Sequence, residues 1–243
     1  MQLIKLSATR STNDYLKELM LHEVVDDGTV VACDHQTQGK GQQGNTWEVE
    51  AGKNLTFSLL KTFSGVRALR SFDINCLVSL ALFNVLERLS VPALRVKWPN
   101  DIMSGTQKLC GILIENSLKG AHIQHSIIGV GLNVNQTTFS NLPKATSVSL
   151  KTGIQYDLSV ILTDLVNELN MQLQLLNTLK STQIRQAYEA VLFRKGVPSS
   201  FKSKDGNTFN GIIQGINEVG QLVLEKEDGV HVPFAVKELE YLY

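Results

Sequence analysis

The chain has 243 residues, of which 43% are hydrophobic and 19% charged, and this composition excludes disorder or low-complexity structure as its main state. Lysine plus arginine and aspartate plus glutamate both number 23. The balance leaves no net field that would hold nucleic acid or an anionic membrane non-specifically, so any phosphate chemistry would depend on a few individually placed cations.

The cysteines Cys33, Cys76 and Cys110 occur singly in apolar surroundings. An odd count without a CxxC pair argues against a disulfide framework and predicts buried, reduced thiols. The first ten residues lack the long apolar core of a signal peptide, and no run approaches the ~18 apolar residues of a membrane span. We therefore predict a cytoplasmic protein with no membrane partner.

The first elements in chain order are a helix and two strands. Ser11 followed by Asp14 is typical of an N-cap with an acidic residue in the first turn, which predicts a helix over 12–23. Runs rich in β-branched and apolar residues predict strands over 29–36 and 54–61.

The strongest helical pattern runs over 71–90, with apolar residues at i, i+3, i+4 and i+7 and with Ser71 as its predicted cap. Three strands and then two helices are predicted after it. The strands cover 94–98 (ended by Pro99), 110–116 and 123–134, and the helices cover 158–177 and 181–192.

The pattern changes at about Lys195 to short alternating runs separated by Asp-Gly and other glycine turns. This is typical of a small barrel of about five strands. The predicted fold is therefore α+β, with a mixed-sheet domain over 1–193 and a small all-β domain over 194–243.

A glycine-rich stretch, GKGQQGNTW, covers residues 39–47. It contains a formal GxGxxG, but a strand rather than a helix is predicted after it, so no helix N-terminus is available for a dinucleotide pyrophosphate. Backbone N–H groups and Lys40 in a flexible loop could instead wrap a phosphate. An ordinary glycine-rich hairpin loop explains the stretch equally well.

The run KWPND ends a predicted strand at residues 97–101. Asn100 and Asp101 would project from that strand end, where Asp101 could hold a magnesium ion or a hydroxyl and Asn100 could read a base edge. The alternative is an ordinary Asn-Asp turn.

The run KLCGILIE begins at Lys108, and Gly111 follows within it. The lysine could point its ammonium into a cleft, or it could be a solvated edge residue. Gly111 removes a side chain where a ligand or another backbone approaches. The run GVGLNVN over 129–135 is predicted as a strand with small residues and two asparagines on one face, and the alternative is a strand that crosses close to another element. His122 and His125 form no metal-ligand set.

In combination and in this order, the segments resemble the biotin protein ligase family over the whole chain, with a C-terminal module similar to that family's SH3-like domain. The pair KWPND and KLxGIL is the most specific part of the resemblance. The segments that carry it are 11–13, Gln36, 39–47, 97–101, 108–115 and 129–133.

The resemblance implies a two-step reaction. ATP, accompanied by Mg²⁺ near Asp101 and without a metal site of the protein's own, activates biotin as biotinyl-5′-AMP. A lysine of a biotin carboxyl carrier domain of a carboxylase then attacks this mixed anhydride. No nucleic acid is implied as a partner, and pairing of sheet edges into a homodimer is left open.

The resemblance also assigns roles to residues. Lys108 is implied as the catalytic lysine that bridges the biotin carboxylate and the α-phosphate. Biotin would contact Ser11, Thr12, Asn13, Gln36, Lys40, Gly41, Gln42, Lys108 and Gly111, and the nucleotide would contact Trp47, Asn100, Asp101 and Asn133.

The glycine loop departs from the family's pattern at Gln42, where an arginine is common in bacterial members. Lys40, Gln43 and Asn45 also stand at positions of a loop that carries several arginines in many bacterial members. Glutamine keeps a donor but lacks the fixed charge and the bidentate fork. Two other functions stay open: a lipoate or octanoate ligase, and a non-catalytic biotin-sensing regulator.

Overall fold

The computed structural model describes residues 2–42, 46–47, 49–140 and 142–242. Their strands are β1 (Leu3–Thr9), β2 (Val30–Gln36), β3 (Leu55–Thr62), β4 (Leu94–Lys97), β5 (Asp101–Ser104), β6 (Gln107–Lys119), β7 (His122–Leu132), β8 (Pro198–Ser203), β9 (Thr208–Ile216), β10 (Leu222–Lys226), β11 (His231–Phe234) and β12 (Leu239–Leu242). Their α-helices are α1 (Thr12–His22), α2 (Ser71–Arg88), α3 (Val148–Thr152), α4 (Leu158–Gln174) and α5 (Ser181–Ala190).

The first seven strands form one mixed sheet in the order β1-β2-β3-β7-β6-β5-β4. β1 and β2 are parallel, and the remaining neighbours are antiparallel. The predicted α+β class with a mixed sheet is confirmed. The glycine-rich stretch leads from β2 towards β3, and the next α-helix in the described residues, α2, comes only after β3.

Helix α1 begins where the sequence predicts. The Ser11 hydroxyl accepts a hydrogen bond from the Asp14 N–H at 3.5 Å and so satisfies one of the free N–H groups of the first turn. Because the cap fixes the start of the helix, Thr12 and Asn13 lie in its first turn, and both are buried.

Helix α2 supplies much of the core and packs against α4 and α5. In length and apolar composition, the described stretch 68–88 would pass for a membrane span, which the sequence analysis did not note, but most of that stretch is buried inside the protein. The predicted cap at Ser71 is wrong. A 3-10 turn runs directly into the helix, so Ser71 already has helical backbone angles, and the Arg70 guanidinium donates to Asp73 instead.

The last five strands form an antiparallel sheet in the order β11-β10-β9-β8-β12. The predicted five strands are confirmed. Closure into a barrel is not seen in the described part of the chain, because β12 pairs with β8 and not with β11, which leaves both as edge strands. The domain boundary between 193 and 194 stays a prediction.

The C-terminal sheet is attached directly to the KWPND run. The buried Trp98 indole N–H donates to the Gly220 carbonyl at 2.9 Å. Beside it, the Glu189 carboxylate on α5 accepts from the Ile216 N–H at 2.9 Å, and the Arg185 guanidinium donates to the Asn217 carbonyl at 3.2 Å. These bonds place the small sheet next to residues that the sequence predicts to be functional.

Candidate active site

A cleft of about 390 Å³ lies on one face of the mixed sheet and extends to the C-terminal sheet. It gathers all of the predicted site residues except Asn133. Those residues are Ser11, Thr12, Asn13, Gln36, Lys40, Gly41, Gln42, Trp47, Asn100, Asp101, Lys108 and Gly111.

A β-bulge determines where the Lys108 side chain points. Residues three apart on a regular strand face opposite sides of the sheet, so Lys108 and Gly111 would be separated. The pairing register between β5 and β6 shifts by one residue here, and Leu109 becomes an extra residue on β6. Leu109 and Cys110 are both fully buried as a result, and the Lys108 ammonium lies 3.2 Å from where a Cβ on Gly111 would stand.

The Lys108 ammonium pairs with the Asp101 carboxylate at 2.6 Å (Nζ to Oδ1), and the two side chains are 36% and 19% exposed. The Lys108 backbone is held by a segment from outside the sheet, because its N–H donates to the Lys144 carbonyl at 2.7 Å and its carbonyl accepts from the Thr146 N–H at 2.9 Å. The ammonium is thus fixed on the wall of the cleft and keeps access to a ligand.

The neighbouring thiol is inert. Burial raises the pKa of the Cys110 thiol far above its usual range, and the opposing effect of the nearby Lys108 charge is smaller. Cys33 and Cys76 are also free and buried. The prediction of buried, reduced cysteines is confirmed, and none of the three is activated as a nucleophile.

The floor of the cleft is a pair of glycines, Gly111 and Gly131, which face each other across β6 and β7. The Trp47 indole lies on this bare backbone, and a Cβ on Gly131 would overlap its ring. The Trp47 ring N–H is buried without a hydrogen-bond partner among the described residues. Residues 129–132 are therefore strand that another group approaches closely, as one of the two interpretations of the 129–135 run states, and residues 133–135 lie beyond the end of β7.

A chain of hydrogen bonds orders the far end of the cleft. The Gln36 amide oxygen accepts from the Thr12 N–H at 2.7 Å, and the Thr12 hydroxyl lies 2.7 Å from the Ser58 hydroxyl. Ser58 has a single proton, which it donates to the Asn13 amide oxygen, because that oxygen can only accept. The Asn13 amide nitrogen donates to Glu115 at 2.7 Å. The Gln36 NH₂ group has no partner within the described residues and remains a donor for a ligand.

Ser58 and Thr56 were not predicted as site residues. Both lie on β3, where Phe57 and Leu59 between and beyond them are fully buried. Thr56 lines the cleft, and its hydroxyl is buried without a partner in the described chain. Polar residues at every second position of a buried strand are the signal that could have identified them.

The cleft concentrates positive charge in a chain that is neutral overall. Its lining includes five lysines and two acidic residues: Lys40, Lys97, Lys108, Lys144, Lys237, Asp101 and Glu240. The last few residues of the C-terminal sheet contribute to this lining, which the sequence did not predict. Placed cations, and not net charge, therefore provide whatever attraction the cleft has for an anion.

Two residues that the sequence predicts to bind the nucleotide donate hydrogen bonds to backbone carbonyl groups. Asn100 lines the cleft, and its amide nitrogen donates to the Ile112 carbonyl at 2.7 Å, which braces β6 beside Gly111. Asn133 is buried outside the cleft lining, and its amide nitrogen donates to the Thr146 carbonyl at 3.0 Å. Gln43 and Asn45 lie outside the described residues. No group of three metal-ligating side chains occurs in the described ranges.

Replacing Gly131 with alanine tests the glycine floor. The added Cβ overlaps the indole, so we expect Trp47 to move into a more polar environment and the free energy of unfolding to fall by about 1–3 kcal/mol. Trp47 emission, obtained by subtracting the spectrum of Trp47→Phe, should shift to longer wavelength. Gly129→Ala is the control, because its Cβ would meet Asn13 and not the indole. An unchanged Trp47 spectrum in Gly131→Ala would contradict this placement.

The sequence profile of the Biotin/lipoate A/B protein ligase family matches residues 6–133. A Paracoccus denitrificans relative, named biotin--[acetyl-CoA-carboxylase] ligase, is 30% identical over 234 residues, which cover 93% of this chain and 95% of the relative. The bifunctional ligase/repressor BirA of Bacillus subtilis is 28% identical over 209 residues, which cover 84% of this chain. The match spans 63% of that protein, less than two thirds of its length.

Among solved structures, the biotin protein ligase from Aquifex aeolicus in complex with biotin and ATP has the same fold. Its TM-score is 0.80 at 24% identity, and the match covers 99% of this chain and 98% of that one. Because the family profile matches more than half of the chain and the Paracoccus relative is matched over almost its full length, the protein belongs to the biotin/lipoate A/B protein ligase family.

Proposed function

We propose that this protein is an ATP-dependent ligase that activates biotin as biotinyl-5′-AMP and transfers the biotin to a lysine of a biotin carboxyl carrier domain. The observation that carries the proposal is the Lys108 ammonium, paired with Asp101 in a cleft that also holds the hydrogen-bonding cluster of Gln36, Thr12 and Asn13 and four further lysines. The name of the Paracoccus relative supports the same chemistry.

The first step requires two anions to meet, because the biotin carboxylate attacks the α-phosphate of ATP and pyrophosphate leaves. Lys108 would exchange its bond to Asp101 for bonds to the carboxylate and the phosphoryl oxygen. A fixed ammonium aimed at developing charge stabilises a transition state by about 3 kcal/mol. The cleft would contribute the rest by holding the reactants in line.

The polar cluster suits the ureido ring of biotin. A urea offers one carbonyl acceptor and two N–H donors, and the Gln36 NH₂ and the Ser11 and Thr12 groups supply complementary donors and acceptors. Asn13 is already engaged with Ser58 and Glu115, so it would hold the cluster in register while presenting its remaining capacity to the ring. Lys40, Gly41 and Gln42 would close over the ligand, and Gly111 would form the slot for the valeryl chain.

The opposite end suits the nucleotide. Trp47 would provide an apolar wall, and Asn100 and Asp101 would border the phosphates. A carboxylate with access to substrate phosphates is typical of Mg²⁺ carried with ATP, and Asp101 fits that role. Bound Mg²⁺ would neutralise phosphate charge. The predicted contact of Asn133 with the nucleotide stays a prediction.

The polar cluster also favours biotin over lipoate or octanoate. Neither a dithiolane ring nor an alkyl chain can pair with Gln36, Thr12 or Thr56, and polar groups left unpaired in a closed site reject a ligand strongly. The Lys108–Asp101 pair argues against a regulator without catalysis. Purified protein, ATP and labelled biotin should label a lysine of a carrier domain, and labelling by lipoate instead would overturn the biotin assignment.

The proposed cellular location and partners follow from the proposed reaction and from the state of the cysteines. Three free, buried cysteines are consistent with a reducing compartment, and we infer a cytoplasmic location. The partner in the second step would be the carrier domain of a carboxylase, and neither nucleic acid nor a membrane is needed. The edge strand β1 of the mixed sheet is where a homodimer could pair, because Val96 on the other edge strand, β4, is already hydrogen-bonded to Val191 and Phe193. That dimer stays a prediction.

Replacing Lys108 with alanine should lower the rate of pyrophosphate release with biotin and ATP by at least ~10²-fold, because it removes the charge between the two anions. The protein should still fold, since the side chain is 36% exposed. Lys119→Ala, at an exposed position at the end of the same strand, is the control and should retain full activity. Near-normal release by Lys108→Ala would remove Lys108 from the catalytic role.

Replacing Gln42 with arginine should slow the escape of free biotinyl-5′-AMP in the absence of acceptor by about tenfold, because a guanidinium can grip a phosphate that a neutral amide holds weakly. The measurement is the rate of adenylate appearance in the filtrate of a single-turnover reaction. Gln38→Arg adds the same charge at an exposed position outside the cleft and controls for it. Equal escape rates in wild type and Gln42→Arg would refute the prediction.

A further inference from the structure

The backbone of Lys108 lies just past the end of the neighbouring strand. β7 ends opposite Cys110, so no residue of β7 pairs with Lys108. The segment 144–146, which we call the strap, takes that place. The Lys108 N–H donates to the Lys144 carbonyl at 2.7 Å, and the Lys108 carbonyl accepts from the Thr146 N–H at 2.9 Å. The strap therefore pairs backbone groups of Lys108 that the sheet itself leaves without a partner.

Asn133 follows β7 directly and connects the strap to the bulge. Its amide nitrogen donates to the Thr146 carbonyl at 3.0 Å, and its backbone N–H donates to the carbonyl of the bulged Leu109 at 2.9 Å. Its own carbonyl accepts from the Val148 N–H at 3.0 Å, just beyond the strap. One buried residue thus contacts both the strap that holds Lys108 and the extra residue that turns Lys108 towards the cleft.

The Asn133 side chain is not part of the cleft surface. It is 4% exposed and lies outside the residues that line the cleft, whereas Lys108 and Lys144 are among them. Without its amide, the Thr146 carbonyl would lose the partner that it has in the structure. The effect would reach the cleft through the Lys108 backbone, because a shift of the strap moves both of the groups to which that backbone is bonded.

We propose that Asn133 is a positioning residue for the activation step. It fixes the strap, the strap fixes the Lys108 backbone, and the ammonium is thereby held where the biotin carboxylate and the α-phosphate meet. This inference rests on the proposed function. It gives Asn133 an effect on the rate of the chemical step, whereas the sequence resemblance implies a contact with the nucleotide. A displacement of about 1 Å that originates far from the reacting atoms can lower a rate on the order of 10²-fold, so the loss of one hydrogen bond to the strap should be measurable in kcat.

The test replaces Asn133 with alanine and measures biotin-dependent exchange of pyrophosphate into ATP in the absence of acceptor. We expect kcat to fall by about tenfold or more, because the ammonium is no longer held in its productive place. The KM for ATP and the KM for biotin should stay within about twofold, because no contact with either ground-state substrate is removed. Calorimetry should accordingly show an unchanged affinity for ATP.

A double-mutant cycle shows whether the loss acts through Lys108. In the Lys108→Ala background, adding Asn133→Ala should lower kcat by about twofold at most, because the group that Asn133 positions is already absent. A purely structural role for Asn133 would instead lower kcat by the same factor in both backgrounds.

Asn135→Ala is the matched control. Its amide nitrogen also donates to a backbone carbonyl, that of Tyr156 at 2.8 Å, and this bond reaches neither the strap nor Lys108. Asn133→Ala and Asn135→Ala should both unfold at a lower denaturant concentration than wild type, because each removes one side-chain hydrogen bond. Only Asn133→Ala should lose kcat.

Gln107→Ala provides the test if Asn133→Ala does not fold. The Gln107 side chain is only partly buried, and its amide nitrogen donates to the strap at the Ala145 carbonyl at 3.3 Å. Its kcat should fall by about threefold or more, again only while Lys108 is present, since a second hydrogen bond to the strap is lost. An unchanged kcat in Gln107→Ala would then overturn the inference.

Three results with Asn133→Ala would also overturn it and leave the proposed function standing. They are an unchanged kcat, an equal loss of kcat with and without the Lys108 side chain, and a raised KM for ATP with an unchanged kcat. The last of these would make Asn133 a nucleotide contact. Wild-type protein without exchange activity would overturn the proposed function itself.

Discussion

The cleft depends on one extra residue in a strand. Without the bulge at Leu109, alternation along β6 would turn Lys108 away from Gly111, and the ammonium would not reach Asp101. The bulge buries Leu109 and Cys110 side by side, so the free energy of their burial holds the lysine in place. A functional orientation is thus maintained by packing on the other face of the same strand.

The second constraint is that the positive charge available to a ligand comes from lysines in the cleft and not from the net charge of the chain. A neutral chain has no long-range attraction for a triphosphate, yet five lysines line one cleft. Around Gln36 the same cleft is organised by hydrogen bonds through Thr12 and Ser58. The cleft therefore combines placed cations with a fixed polar cluster, and Lys108 is the cation that pairs with Asp101 on its wall.

Much of this could be predicted from the sequence where the signal is local. The Ser11 cap, the apolar period of α2 and the KWPND strand end are short-range patterns, and the structure has a helix start, a core helix and a strand end at these places. The cap predicted at Ser71 failed because a preceding 3-10 turn, invisible to a capping pattern, already supplies the helical backbone. A shift in pairing register depends on two strands together, so the bulge that orients Lys108 could not be read from either strand alone.

The site features that depend on contacts between distant segments were also missed in the sequence analysis, because a single segment does not show them. Ser58 acts only because α1 packs on β3, and Lys237 lines the cleft only because the Trp98 and Glu189 hydrogen bonds fix the C-terminal sheet beside it. Asn133 shows the converse, since a motif position that suggested a ligand contact is buried against the Thr146 carbonyl. Resemblance identified the segments, and packing decides which of their atoms face the cleft.

The most direct test of the central claim is a crystal structure of the protein with biotin and a non-hydrolysable ATP analogue. The account predicts that the Lys108 ammonium leaves Asp101 and lies within hydrogen-bond distance of both the biotin carboxylate and an α-phosphate oxygen. A Lys108 side chain turned into bulk solvent, or one still paired with Asp101 while both ligands are bound elsewhere, would contradict it.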